Sequence, residues 1–385
     1  MIPYSTQSIA AEDLQAIAAV LQSGWLTQGP AVPRFESEFA AVHEVEHAVA
    51  VSSATAGLHL GCLALDVAAG SRVWTCPNSF VASANCALYA GASVDFVDMD
   101  PRTRNLSVAA LEQKLERASR DGTLPHVVVP VDFSGLPCDL AEISALARKF
   151  GFRILEDASH AVGARYQGAS IGSRYADLTV FSFHPVKIIT SAEGGMITTA
   201  DGALAERLRR LRTHGITRDE AQMSAGSQGP WYYEQIELGF NYRLTDIQAA
   251  LGSSQLKRMA AFQERRRALA ARYDDLLAQL PLLLPAVLPD RVSSLHLYVV
   301  EIDERRCSVP RRTAFERLRQ AGVGVNVHYI PVHLQPYYRR LGFKPGDFPA
   351  AEHYYSRALT LPLYPDLTPA QQDEVVKSLR RALEA

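Results

Sequence analysis

"LTVFSFHPVKIITSAEGGMITTA", residues 178 to 200, holds two short β-prone runs, "LTVFSFH" and "GMITTA", around a segment rich in hydroxyls and glycine with one lysine, Lys187. Lysine is seldom buried without a partner, because stripping water from an ammonium costs several kcal/mol or forces its pKa down. Two readings are open. Lys187 is an edge residue whose amine reaches solvent, or it is an amine made nucleophilic to hold a carbonyl compound.

Working outward, further short apolar runs alternate with helical patterns. "RVWTC", "SVDFVDM", "HVVVPVDF" and "FRILEDAS" read as strands, and "DLAEISALARKFG" as a helix between the last two. Strands alternating with helices imply βαβ units, hence an α/β fold with a mostly parallel central sheet sandwiched by helices. Near the start, "AEDLQAIAAVLQSG" reads as a helix with Leu14, Ile17 and Leu21 on one face and Gly24 to close it. "GWLTQGPAVPRF" reads as a loop with an exposed Trp25, and "SSATAGLHLGCLALDV" as a helix capped by Ser53 or Thr55. A long helix is expected from about Thr245 to Leu280, stopped by Pro281. Beyond it "SSLHLYVVEID" reads as a strand, "RRTAFERLRQAG" as a helix, "VGVNVHYIP" as a strand and "TPAQQDEVVKSLRRALEA" as the final helix. The division expected is a large unit over 1–250, then the bridging helix with a smaller C-terminal α/β unit over 251–385, the N-terminal residues being free to pack on either.

A chain of 385 residues, 48% hydrophobic, has material for two lobes with sizeable cores. Its 39 basic and 41 acidic residues leave a net charge of −2, which disfavours nucleic acid as a partner. The five cysteines form no C-x-x-C pair, so no metal site is expected and a reducing compartment is. The opening "MIPYSTQSIAAEDLQ" has no basic start before an apolar core, and no apolar run reaches the ~20 residues of a bilayer span. The expectation is a cytoplasmic protein without a membrane partner.

In "LEDASHAVG", residues 155 to 163, Asp157 falls at the C-terminal end of a parallel strand, where α/β sheets bind ligands. Alone it reads as well as a solvated carboxylate or a helix cap. Lys187 follows thirty residues later, just past the next strand, so both ends share one rim of the sheet and can flank one flat ligand. Pyridoxal 5'-phosphate requires that pair: an amine for its aldehyde and a carboxylate to keep its ring nitrogen protonated. His160 is placed to stack on the ring or reach its phenolic oxygen. The small-residue turn "SSATAG", residues 52 to 57, opens a helix and offers amides of Ala54 and Thr55 to a phosphate. Ser182 can add a hydroxyl, or be a buried serine bonded to backbone. Phe80 in "CPNSFVASAN" can stack on a cofactor, or be core. Asn241 and Arg243 in "GFNYRLTDIQAALG" read on their own as a turn and cap.

Taken together, "SSATAGLHL", "PNSFVASANCALYAGA", "EDASHAVGA", "FSFHPVKIITSAEGGM", "HGITRD" and "LGFNYRLTDIQAALG" resemble, in order, the DegT/DnrJ/EryC1/StrS family of nucleotide-sugar aminotransferases. The resemblance runs on through "VNVHYIPVHLQPYY" and "LPLYP" and covers nearly the whole chain. It implies the fold-type I architecture of pyridoxal-phosphate enzymes. It also implies Lys187 as Schiff-base lysine and proton shuttle, Asp157 on the ring nitrogen, His160 beside the ring, and Ala54, Thr55 and Ser182 on the phosphate. Asn241 would reach the cofactor phosphate of a neighbouring subunit, making the working unit a homodimer with shared sites.

Within the family, "MIPYSTQSI", "GWLTQGP" and "VNVHYIPVHLQPYY" resemble the branch of UDP-4-amino-4,6-dideoxy-N-acetyl-β-L-altrosamine transaminases of pseudaminic acid biosynthesis. That implies Tyr4, Gly24, Trp25, Leu26, Thr27, Asn326, Val327, His328 and Tyr329 around the nucleotide-sugar. The implied reaction moves the amino group of L-glutamate to C4 of UDP-2-acetamido-2,6-dideoxy-β-L-arabino-hex-4-ulose and releases 2-oxoglutarate. The alternative is an aminotransferase for another 4-keto or 3-keto nucleotide sugar. A nicotinamide-dependent oxidoreductase is disfavoured, because no G-x-G-x-x-G turn follows the first strand.

Overall fold

The computed structural model describes residues 1–384. Its centre is a seven-stranded sheet: β1 (His47–Val51), β2 (Arg72–Thr75), β3 (Ser93–Phe96), β4 (Val127–Val129), β5 (Arg153–Asp157), β6 (Leu178–Ser182) and β7 (Gly195–Thr199), in spatial order β1-β7-β6-β5-β4-β2-β3. All pairs among β2 to β6 are parallel, and only β7 runs against its neighbours. β6 is buried at every position, as expected of a strand with helices on both faces. Two apolar layers enclose the sheet. One holds Phe35, Phe39, Val128, Phe181 and Phe183, and the other Val49, Leu58, Val127, Leu155 and Ile197.

The parallel run puts the C-terminal ends of β5 and β6 side by side, with Asp157 opposite Val180 in the register. The chain leaves β6 through the segment that carries Lys187 and re-enters at β7, so carboxylate and amine emerge on one rim. β1 was not anticipated from the sequence. Its "HAVAV" is too short to be told from a buried helical segment, and it pairs with β7, 144 or more residues downstream.

Helix α1 (Ala11–Gln22) forms where expected, but not on the expected face. Its buried residues are Asp13 and Val20, while Leu14 and Leu21 are exposed. Asp13 accepts from Gln255 Nε2 at 2.7 Å and from Arg258 at 3.1 Å, so a polar contact seats this helix rather than its leucine stripe. Helix α2 (Ala31–His43) begins inside the stretch read as loop; Pro33 is tolerated because it lies in the first turn, where no backbone donor is needed. Helix α3 (Ala54–Ala64) is capped by Ser53, whose Oγ accepts from the amide of Ala56.

The long helix spans Asp246–Leu277, closed at its start by a capping box of Thr245 and Gln248. At 1.5 Å per residue it is about 48 Å long. It packs near its start against α1 and α2, and Leu269, Tyr273 and Leu277 near its end enter a separate apolar core with Tyr298, Val300, Leu318, Leu361 and Leu379. That core belongs to a smaller α/β unit with a three-stranded antiparallel sheet of Leu282–Leu283, Tyr298–Ile302 and Ala358–Leu361. Helices Arg311–Gln320 and Pro369–Ala382 contribute Leu318 and Leu379 to it. "VGVNVHYIP" is not a strand: Val323 bridges Ile2 and Asn326 bridges Thr360, and the rest is irregular. The alternation suggested a strand, but its partners change after one pair each. The first residues pair with this unit, Ile2 N–H donating to Gly322 O at 2.8 Å and Leu363 N–H to Tyr4 O at 3.0 Å.

Candidate active site

A cavity of about 490 Å³ opens at the rim where β5 and β6 end, between the large sheet and the smaller unit. Asp157 and Lys187 both line it. Asp157 is 5% exposed; its Oδ2 accepts from Ser83 Oγ at 2.6 Å and its Oδ1 from the amide of Ser159 at 3.1 Å. Two donors, one on each oxygen, fix the plane of the carboxylate. Lys187 projects from a turn in which its own amide donates to His184 O at 2.9 Å. Burial of the amine lowers its pKa to about 8, and the Asp157 carboxylate partly offsets that by favouring the ammonium. At pH 7 roughly a tenth of such an amine is neutral, enough for a base.

His160 is buried, and its pKa lies well below that of a free imidazole, first from burial and then from Lys187 and His328. The amide of Ser134 donates to its Nδ1 at 3.2 Å. The neutral ring therefore carries its proton on Nε2, which lies 3.1 Å from Tyr329 Oη and donates to it. His328 is neutral too, held down to about 3 by burial and Lys187; its Nδ1 lies 2.8 Å from Thr360 Oγ1.

Ala54 and Thr55 line the cavity as the first residues of α3, where backbone amides have no partner within the helix. Gly195, the second glycine of "EGG", packs on this helix start so closely that a Cβ there would lie 2.7 Å from the Ala54 nitrogen. The glycine keeps that N-terminus open. Ser182, Phe80, Tyr4, Asn326, Val327, His328 and Tyr329 complete the lining. These residues fit pyridoxal phosphate: an amine and a carboxylate on one rim, unpaired first-turn amides beside a hydroxyl, and Tyr329 and Phe80 with ring centres 6.3 Å apart.

Four expected residues are not brought here. Gly24, Trp25, Leu26 and Thr27 lie away from the cavity, because Asp246 at the head of the long helix accepts from the amides of Gly29 and Ala31, both at 2.7 Å, and holds that loop on the outer side. Trp25 lines instead a cleft of about 890 Å³ between α1, α2 and the long helix. Asn241, expected in the cavity of a neighbouring subunit, is exposed and outside the cavity of its own chain. Conversely, Ser83, Ser159, His184, Glu193 and His296 were missed. Ser83 lies three residues after Phe80, one helical turn on, a spacing that could have paired the two. His296 sits in a β-prone run and gave no signal, yet its ring is 4.5 Å from that of His160.

A model of the DegT/DnrJ/EryC1/StrS aminotransferase family matches residues 7–380. The spore coat polysaccharide biosynthesis protein SpsC of Bacillus subtilis is 41% identical over 382 residues, 98% of this chain and 96% of that protein. Among solved structures, the putative sugar aminotransferase Spr1654 of Streptococcus pneumoniae in its PMP form superimposes with a TM-score of 0.90 at 29% identity, covering 99% of both chains. PseC of Helicobacter pylori, an aminotransferase of pseudaminic acid biosynthesis, gives 0.89 at 30% identity, again over 99% of both. With a cavity built as such chemistry needs and a match along nearly its whole length, the chain belongs to the DegT/DnrJ/EryC1/StrS family, the pyridoxal-phosphate-dependent sugar aminotransferases.

Proposed function

We propose that this protein transfers the amino group of L-glutamate to the keto carbon of a nucleotide-linked sugar, with Lys187 as the group that moves the proton. The observation that carries the reading is the Lys187 amine in one cavity with a doubly hydrogen-bonded Asp157. Bound pyridoxal phosphate supplies an aldehyde that takes up the amino group and a ring that accepts the electrons of the deprotonated carbon. Asp157 holds the ring nitrogen in its protonated form. Ala54 and Thr55 amides and the Ser182 hydroxyl hold the phosphate. Lys187 Nζ removes the proton from the α-carbon of glutamate, which leaves as 2-oxoglutarate. It later delivers a proton to the sugar carbon from its own side of the cavity, so its position sets the configuration of the new amine. His160, neutral and donating from Nε2, orients Tyr329 without adding charge.

Tyr4, Asn326, Val327, His328 and Tyr329 line the same cavity as Lys187 and are assigned to the sugar. Gly24, Trp25, Leu26, Thr27 and Asn241 are assigned to the cavity of a second copy of the chain. Exposed apolar side chains support a homodimer: Leu238 and Trp231, on the segment leading to Asn241, are 79% and 73% exposed.

The finer reading is the pseudaminic acid reaction, amination at C4 of UDP-2-acetamido-2,6-dideoxy-β-L-arabino-hex-4-ulose in the cytoplasm. The likeness to PseC supports it. The likeness to SpsC supports a second reading, another keto sugar bound for a polysaccharide. Incubating the purified protein with glutamate and a panel of UDP- and dTDP-linked 4-keto and 3-keto sugars, with products read by mass spectrometry, tests both. Amination of the UDP-arabino-hexulose alone supports the first, and amination only of a different sugar replaces it with the second. No aminated product from any sugar overturns the function proposed.

A further inference from the structure

Directly behind Asp157 lie two acids that the mechanism does not use. Asp132, in the turn just past β4, and Glu156, in β5, are each 0% exposed, and their carboxyl groups are in hydrogen-bonding contact. Asp132 Oδ1 accepts from the amide of Cys138 at 2.8 Å, and Glu156 Oε2 from Thr179 Oγ1 at 2.7 Å. The other two oxygens, Asp132 Oδ2 and Glu156 Oε1, have no other hydrogen-bond partner among the described residues. The titratable groups that face the pair are Asp157 on the same strand as Glu156 and Cys138 on the adjoining turn, and neither is a cation.

The count of donors fixes the count of protons. With none, two buried charges meet with no compensation, which a dry site does not support. With two, one hydroxyl is left without an acceptor. One proton between the two unpaired oxygens satisfies both and leaves a single negative charge. We propose that Asp132 and Glu156 share one proton across this contact and act as a positioning pair for Asp157 and His160. The route is short. The amide of Asp132 donates to Asp157 O at 3.1 Å, and the Asp132 carboxylate closes the turn through Cys138. That turn presents Ser134, whose amide sets the tautomer of His160 and whose hydroxyl is anchored on Leu297 O at 2.6 Å. The link to the cofactor rests on the function proposed above; the shared proton does not.

Asp132→Asn or Glu156→Gln puts an amide N–H where the proton was, keeping the contact and the single charge. Infrared spectra of the cofactor-free protein at neutral pH, compared among wild type and the two variants, are the test. The expected result is a protonated-carboxyl band in the wild type that is lost in both variants. Its absence from the wild type, or its survival in either variant, overturns the proposal whatever the enzyme's substrate proves to be. Should either variant fail to fold, the wild type labelled with carboxyl-¹³C aspartate or glutamate decides: the band shifts with one label or both, and a band that moves with neither overturns the proposal. The unfolding equilibrium carries a second signature. An acid that keeps its proton in the folded state loses stability as pH rises above the ordinary carboxyl range, by up to about tenfold in the equilibrium constant per pH unit. Each amide variant shows a shallower fall; an unchanged slope in both counts against the pair. For the positioning role, Asp132→Ala removes the turn closure and Asp132→Asn keeps it, so cofactor retention is about tenfold better in the asparagine variant. Equal loss in both overturns that role.

Discussion

Ser83 Oγ donates to Asp157 Oδ2 at 2.6 Å, so the acid at the end of β5 is held by a hydroxyl from the helix Ala82–Tyr89 that follows β2. A bond this short to a carboxylate is charge-assisted and contributes about 1.5–3 kcal/mol. Ser83→Ala therefore weakens pyridoxal phosphate binding by about tenfold or more, read by absorbance titration of the cofactor-free protein. Unchanged affinity would show that Asp157 is oriented by Ser159 alone.

The Lys187 amine reacts as a base weaker than ordinary lysine. Because burial outweighs the attraction of Asp157, its acylation by a small reagent in the cofactor-free protein reaches half its limiting rate near pH 8. Asp157→Asn removes the charge that favours the ammonium, so the midpoint moves to lower pH. Peptide mass spectrometry across a pH series measures both. A midpoint at the ordinary lysine value, or an upward move in the variant, contradicts the electrostatics described.

Asp246 holds two amides of the loop that carries Trp25. Asp246→Ala leaves both without a partner and costs about 2 kcal/mol in denaturant unfolding, with Asp246→Asn between it and wild type. If that loop serves the sugar site of a second copy, KM for the nucleotide-sugar rises while cofactor affinity stays put. Loss of cofactor binding would place the loop's effect elsewhere.

Shared sites are tested by complementation. Lys187→Ala and Asn241→Ala each abolish or strongly reduce activity alone. A mixed dimer keeps one cavity with both residues intact, so random co-assembly restores about a quarter of the wild-type rate. No recovery in a verified mixed dimer would mean that Asn241 acts outside the partner's cavity.

The pairing of Asp157 with Lys187 was legible because strand ends of a parallel sheet converge whatever the loops do. The capped start of α3 was legible for a similar local reason: serines and alanines before an apolar run cap a helix. What escaped depended on distant partners. β1 needed β7 to be recognisable, and α1 turned its leucines outward because Asp13 found Gln255 and Arg258 on the long helix. The position of Trp25 was set by Asp246, more than 200 residues away, and no local pattern encodes that.

The hydrogen bonds of Ile2 and Tyr4 to Gly322, Gly324 and Leu363 bear on how the protein matures on the ribosome. Every strand of the large sheet has been synthesised by residue 199, yet Ile2 finds its partners only once residue 324 has been made, and Tyr4 only once residue 363 has. Until then Tyr4 lacks the backbone partner that seats it in the cavity with Asp157 and Lys187, so that pocket is completed late in synthesis.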